Sequence, residues 1–393
     1  MTSSERLPWR VAMDRALYGP DGFFVSGAGP AAHFRTSVHA SPVFSSCLLR
    51  LLASIDRALG HPPRLDVVDV GAGRGELLQA LLAGVSGEPA RSGRSGLIPL
   101  RAGSPEILPT TAAAGQSPSN LASTGPSPAA PVPLAHRVRL TAVEKAPRPD
   151  DLPAEIEWRD EIPPGITGLL AATEWLDNVP LDLAVQAEDG WRYLLVDPAT
   201  GEESTGDPVN AEDADWLDRW WPTCASDVTS PATAGFRAEP PTGARAEVGR
   251  TRDNAWAHAI EKIDRGCALA VDYGHLRDGR PVGGTLTGYR GGRQVAAVPD
   301  GSCDVTAHVA MDSVASAGER IARCAYTLVS QREGLRALGA DGGRPPLSLA
   351  SRDPAGYVRA LAAASTVAEL ADPAGLGGHW WLLQPVGVAV DLG

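Results

Sequence analysis

A short β-branched run, Leu65-Asp66-Val67-Val68-Asp69-Val70, breaks at Gly71-Ala72-Gly73-Arg74-Gly75 and passes directly into the apolar-periodic stretch ELLQALLAG. No other feature of the chain restricts its fold as much. Strand, tight turn and helix in immediate succession open a βαβ unit. Strand-like runs recur at 138–144, 156–158, 166–173 and 267–271, with helical stretches between several of them. The expected fold is therefore α/β, with a central, mostly parallel sheet and helices on both faces. In such sheets ligands bind outside the carboxyl ends of the strands. The candidate functional residues are those that follow strands.

Glycines at 71, 73 and 75 let the backbone turn tightly and approach a ligand closely, and the helix behind them offers free N–H groups. The spacing is GxGxG, not the GxGxxG of dinucleotide sites. It is more typical of S-adenosylmethionine sites, where no pyrophosphate must be cradled. An adenosine-bearing ligand also calls for an acid about 20 residues on, at the end of the next strand. Glu144 ends the run RLTAVE, 69 positions after Gly75, and setting aside the 49 residues 87–135 leaves 20. Asp69 stands just before the loop, where its carboxylate can face an amino group. Asp69, Gly71, Gly73, Gly75 and Glu144 are thus the candidate cofactor-binding residues. A nicotinamide-dependent oxidoreductase is a rival reading, which the glycine spacing opposes.

The rest of the chain sorts by composition and period. Residues 1–60 read as an N-terminal helical cap over the active site, with helices at 11–24 and 42–60. Residues 61–393 read as the core. Residues 86–135 are rich in Ser, Gly, Pro and Ala without a sustained apolar period, and so are expected to be a disordered insertion or surface loop. A second, loop-rich insertion is expected at about 187–264. It starts with a hairpin (181–186 and 191–196), continues through an acidic, Pro-rich loop at 198–245, and ends in a helix at 246–264. Helical patches follow at 306–317 and 328–339, and a strand at 379–390.

Glu174 and Asp177 follow the strand expected at 166–173. If the segment turns helical, positions i and i+3 share a face. Two carboxylates there suit a guanidinium, with its planar fork of donors. The plainer reading is a helix N-cap acid with a first-turn acid behind it. Asp272 follows a further strand, and the alternation Asp304-x-Thr306-x-His308 can supply a base or an acceptor contact, with His308 its candidate. The candidate catalytic set is Glu174, Asp177, Asp272 and His308. No metal site is expected: His33 and His39 lie six apart without an evident third ligand.

Composition narrows the setting. The formal net charge of −12 argues against a nucleic-acid surface as the main purpose. No apolar run approaches the roughly 18 residues a membrane helix needs, and the start lacks a secretory pattern. Five scattered cysteines give neither a disulfide framework nor a zinc knuckle. A cytoplasmic protein is expected, without membrane or nucleic-acid partners.

The ordered segments LYGPDGFF (17–24), HFRTS and SPVF (33–37, 41–44), VVDVGAGRGEL (67–77), AVEKAP (142–147), ATEWLDNVPLD (172–182), LAVDYGH (269–275), GGTLTGYR (283–290) and GSCDVTAHV (301–309) resemble the MidA-like family of S-adenosylmethionine-dependent methyltransferases. That family includes the mitochondrial complex I assembly-factor protein-arginine methyltransferase. The resemblance implies a Rossmann-like methyltransferase core with family-specific insertions, S-adenosyl-L-methionine as cofactor and a protein arginine as acceptor. Near the N-terminus the chain departs from the family: AAHFRTSVHAS stands where a pattern like GDF-x-TSPEIS is usual. Asp69 replaces a Glu, and Thr173 an Asn. A non-catalytic assembly or binding protein that keeps the fold is the alternative these departures favour.

Overall fold

The computed structural model describes residues 5–26, 42–87, 132–221, 242–340, 342–390 and 392. The motif residues 33–37, with His33 and His39, and nearly all of the 86–135 insertion lie outside them. Seven strands make the central sheet: β1 (Leu65–Val70), β2 (Val138–Val143), β3 (Ile156–Arg159), β4 (Ile166–Thr173), β5 (Ile263–Asp272), β6 (Thr327–Ser330) and β7 (Trp380–Val386). Their spatial order is β6-β7-β5-β4-β1-β2-β3. The five strands from β5 to β3 pair in parallel, and β7 runs antiparallel to β5 and β6. The connection out of β1 goes to one side and β4 lies on the other. The switch point of the sheet therefore falls at the carboxyl end of β1, where the glycine loop begins.

The longer helices are α1 (Trp9–Tyr18), α2 (Pro42–Ala58), α3 (Glu76–Ser86), α4 (Ala211–Trp220), α5 (Arg250–Glu261), α6 (Met311–Ala322) and α7 (Pro354–Leu370). All six residues of β1 are buried, as expected of a strand covered on both faces. Leu65 and Val67 face a core shared with Leu48, Leu51 and Leu52 of α2 and Leu77, Leu78 and Leu81 of α3. Val68 and Val70 face the opposite core, with Trp256 and Ile260 of α5 and Met311 and Val314 of α6. Each such side chain contributes about 1.5–3 kcal/mol by leaving water. Gly168 of β4 sits at φ +148, and a Cβ there would overlap the Asp66 carbonyl of β1, so only glycine lets these two strands close up. Arg137 crosses to α2, donating from its two Nη atoms to Asp56 at 2.7 and 2.8 Å. That guanidinium holds the Asp56 carboxyl below its usual range.

A second, antiparallel sheet joins Leu7–Pro8, Gly190–Val196, Asp182–Ala187 and Arg245–Val248, with Glu203–Pro208 on the outer side of Gly190–Val196. Helix α1 packs on it through Trp9, Met13 and Leu17, against Leu183, Leu194 and Val305.

Several elements differ from the sequence expectation. The stretch 198–245 holds a strand and α4, which Asn210 caps by accepting from the Asp213 N–H at 2.9 Å. The helix expected from 246 begins at Arg250, because Arg245–Val248 is drawn into the small sheet. Helix α6 starts at Met311, after the strand Asp304–Thr306. The expected 328–339 helix splits into β6 and a helix at Gln331–Ala337, separated by a capping box between Ser330 and Glu333. Within 1–60, α2 is one of the layers on the central sheet, whereas α1 rides on the small sheet. Helix α7 had no counterpart in the sequence reading: its buried stripe is confined to Val367 and Leu370, too few for an apolar period to stand out.

Candidate active site

A crevice of about 1040 Å³ opens at the carboxyl ends of β1, β2 and β4. Its floor is the glycine loop. The N–H groups of Gly71 and Ala72 donate to the Val143 carbonyl at 3.0 and 3.3 Å, tying the loop to the end of β2. Gly71, Gly73 and Gly75 all have positive φ, at +71, +57 and +79, where a side chain is strained. At Gly75 a Cβ would also come within 2.7 Å of Leu152. At Gly73 it would meet nothing nearer than 3.6 Å, the Glu76 carboxylate. The loop at Gly73 is thus an open cradle facing the crevice.

Glu144 comes to this loop across 71 residues of sequence. Its Oε2 accepts the Gly73 N–H at 2.9 Å, and its Oε1 accepts the N–H groups of Lys145 and Ala146 at 2.7 and 3.3 Å. The spacing argument therefore put the right strand end beside the glycine turn. Asp69 lies buried behind them. Burial pushes its carboxyl up to about 8, and the nearby Glu76 and Glu144 charges add to the shift. Asp160, Glu161 and Ile162, just past β3, line the same end of the crevice.

The opposite end is built from distant segments. Residues 174–178 do not form the expected helix. Glu174 takes a left-handed φ of +51 and donates its N–H to the Val271 carbonyl at 2.8 Å. Only Leu176–Asn178 form a 3₁₀ turn. The two acids consequently do not share a helical face, although both line the crevice. The Glu174 carboxylate lies 3.7 Å from His379 Nε2. Burial pushes the His379 ring down to about 4, so it is neutral near pH 7.

Asp177 is buried. Its Oδ2 accepts from the Tyr273 hydroxyl and from the Thr306 hydroxyl at 2.8 Å. Among the described residues its Oδ1, itself buried, has no hydrogen-bond partner. Burial raises the affinity of this carboxyl for a proton, against those two donors. A buried acceptor left unmatched costs about 1–3 kcal/mol, so the carboxyl of this crevice-lining residue is incompletely satisfied.

Asp272 does not line the crevice. It is fully buried beneath it, accepting the N–H groups of Leu176 and Asp177 at 3.0 and 3.3 Å and of Tyr273 at 3.0 Å. Its carboxylate shapes the turn that presents Asp177, and burial raises its proton affinity further. His308 stands at the rim, edge-on to Tyr273 with ring centroids 5.1 Å apart. Partial burial and the neighbouring His275 lower its basicity.

Sequence reasoning missed several lining groups. Asp14 and Tyr18 come from one face of α1, and the Tyr18 hydroxyl donates to the Asn178 carbonyl at 3.2 Å. Asp304, which the sequence reading named beside His308 but left out of the candidate catalytic set, accepts from Asn178 Nδ2 at 2.7 Å. The i, i+4 spacing of Asp14 and Tyr18, and the period-two face shared by Asp304 and Thr306, were available signals. Arg252 had none. This buried guanidinium donates to the carbonyls of Val179 at 3.2 Å, Ala307 at 2.9 Å and His308 at 2.9 Å, and to that of Asp177. It braces the 176–179 turn against the 304–308 strand. Among the described residues nine carboxyl side chains line the crevice, against Lys145, Lys262 and three histidines. Such a wall favours cationic ligands.

The described residues contain no helix long and apolar enough to cross a membrane. Over residues 47–329 the chain matches the sequence profile of a family described as "Putative S-adenosyl-L-methionine-dependent methyltransferase". A COG1565 superfamily member from Burkholderia thailandensis, crystallised with S-adenosyl-homocysteine, superposes with a TM-score of 0.68 at 21% identity, over 98% of this chain and 89% of the other. A native crystal structure of an uncharacterized COG1565 superfamily protein from the same organism gives 0.66 at 22% identity, with the same coverages. No protein of curated function matches. Strand order and these likenesses agree on a Rossmann-like methyltransferase fold.

Proposed function

The chain belongs to the S-adenosyl-L-methionine-dependent methyltransferase family that its residues 47–329 match, and on that premise we propose that it methylates an arginine guanidinium of a protein partner. The cofactor is S-adenosyl-L-methionine, and the residues present suit it. Gly73 leaves the open cradle that a side chain would fill, while Gly71 and Gly75 hold the turn against Trp175 and Leu152. Glu144 presents a fixed carboxylate for ribose hydroxyls, and Asp69 lines the crevice beside the loop, where its carboxyl can face the donor's amino group. Bound donor supplies an electrophilic methyl group on sulfonium.

The chain's own work is to place the acceptor in line and take its proton. Asp177 carries that role in our reading, and its place in the crevice wall, with one buried carboxyl oxygen that has no hydrogen-bond partner among the described residues, is the observation that supports it best. Asp177 would receive the proton that the guanidinium gives up on methylation. Glu174 lies beside it and adds negative charge. Asp272 positions the turn, and His308 borders the acceptor's path. The arginine itself comes from the MidA-like resemblance, and the acidic wall agrees with it. The setting we propose is the cytoplasm, where the thiols of Cys47, Cys267, Cys303 and Cys324 stay reduced.

The test is methyl transfer from labelled S-adenosylmethionine to lysate of a strain lacking the gene, followed by hydrolysis and mass spectrometry. Label in methylarginine is the expected result. Label in another residue overturns the guanidinium reading. Donor binding without transfer to any fraction favours the non-catalytic alternative.

A further inference from the structure

Asp177 is one carboxylate of the acceptor end, and the sequence pairs it with Glu174. The structure offers a different partner. Glu174 has its carboxylate beside His379. Asp304, by contrast, lies on the strand that faces the Asp177 turn, and Asn178, the next residue of that turn, donates to its Oδ1 at 2.7 Å. Both acids line the crevice and both are buried. Thr306, two residues along the Asp304 strand, donates to Asp177 itself. We infer that Asp177 and Asp304 together form a two-carboxylate seat that selects a planar guanidinium over a compact ammonium, with Asp304 as the specificity-determining residue.

The inference rests on the guanidinium reading and deepens it. Two carboxyl groups held in one buried wall are unfavourable by themselves, and the neighbouring Arg252 gives its N–H groups to backbone carbonyls of Asp177, Val179, Ala307 and His308. Burial and the Asp177 charge push the Asp304 carboxyl up to about 8. The buried Asp177 Oδ1 has no hydrogen-bond partner among the described residues. A guanidinium has five N–H donors arranged in a plane and can offer one edge to each carboxylate. An ammonium is a point charge and gains less from two separated acceptors. The surrounding rings fit a flat cation. Tyr18 and Phe24 stack with centroids 5.7 Å apart on the α1 side, Tyr289 pairs with Asp304 across the neighbouring strand, and all three border the crevice. Aromatic faces attract guanidinium.

The probe is a bisubstrate analogue in which 5′-deoxyadenosine carries an alkyl chain ending in guanidine, compared with analogues ending in an amine or a methyl group. The adenosine holds every analogue in the same crevice, so affinity ratios read the seat alone. Wild type is expected to prefer guanidine over amine and over methyl by about tenfold or more, the worth of one good charge-assisted bond. Asp304→Asn should lose about tenfold of that preference while S-adenosyl-homocysteine affinity stays within a few fold. Asn178→Ala, which frees the Asp304 carboxylate, should lose part of it and serves if Asp304→Asn does not fold. Glu174→Gln, whose charge acts on either cation alike, should change the guanidine-to-amine ratio less than Asp304→Asn does. Absence of any guanidine preference in wild type would sink the guanidinium reading. A wild-type preference that survives in Asp304→Asn, or that Glu174→Gln abolishes instead, would overturn the seat.

Discussion

The two ends of the crevice are made in different ways. The end we propose for the donor is backbone: one turn of three positive-φ glycines, fastened by the Val143 carbonyl and by Glu144. The end we propose for the acceptor is side chain. Tyr18, Asp177, Tyr273 and Asp304 are brought together from across the chain, with Tyr273 and Asp177 separated by 96 residues and Thr306 and Asp177 by 129. The first end needs only a strand, a turn and the next strand. The second needs the whole domain to be folded, with Arg252 holding the parts in register. A general donor site and a particular acceptor site can therefore change independently.

Breaking the brace should have the largest effect. Arg252→Met removes a buried guanidinium that serves four backbone carbonyls. Carbonyls left without a donor cost about 1–3 kcal/mol each, so we expect a loss of about 3 kcal/mol or more in urea unfolding, together with loss of turnover. Donor affinity of the folded fraction should change least. Equal collapse of donor binding in still-folded protein would show that the two ends are not separable.

Asp177→Asn comes next. It keeps shape and removes charge, and turnover should fall by about 10²-fold, the range for a positioned acid or base. Steady-state kinetics on the methylated acceptor would read it, and wild-type turnover would move the chemistry elsewhere.

Gly73→Val acts on the donor end. The φ of +57 costs a branched residue about 1–2 kcal/mol, and the side chain projects into open cradle. Thermal unfolding should show a modest loss, whereas calorimetry should find donor affinity down by about tenfold or more. Retained affinity would mean that the cradle is not where the donor lies.

The last effect is a pH dependence. Asp69 holds its proton up to about 8 in the folded protein but only to about 3.9 when unfolded. Its contribution to stability is thus fully present below pH 4 and is lost as pH rises toward 8. Asp69→Asn cannot ionise, so its melting temperature should exceed that of wild type at pH 7, with the gap closing toward pH 4. A gap independent of pH would show that Asp69 is ionised throughout.

The same division decided what could be read in the sequence. Gly71, Gly73, Gly75 and Glu144 were legible because a strand end, a glycine turn and a corrected spacing are local signals. The parallel core followed from apolar runs such as 65–70. Asp304, Tyr18, His379 and Arg252 were not legible as a group, because nothing local marks residues that meet only through tertiary packing. Glu174 shows the limit most plainly. Its i, i+3 relation to Asp177 suggested one helical face, but the tertiary hydrogen bond from its N–H to Val271 holds it in a left-handed conformation that glutamate does not favour. The 187–264 region suffered from the opposite problem, since its Pro- and acid-rich surface hid short strands and the Asn210-capped helix.

Titrating S-adenosyl-homocysteine into folded wild type, Glu144→Gln and Asp177→Asn tests the division of the crevice most directly. Glu144→Gln should weaken binding by about tenfold, because a charge-assisted bond becomes a neutral one, while Asp177→Asn stays within a few fold of wild type. Wild-type affinity in Glu144→Gln, or an equal loss in Asp177→Asn, would contradict it.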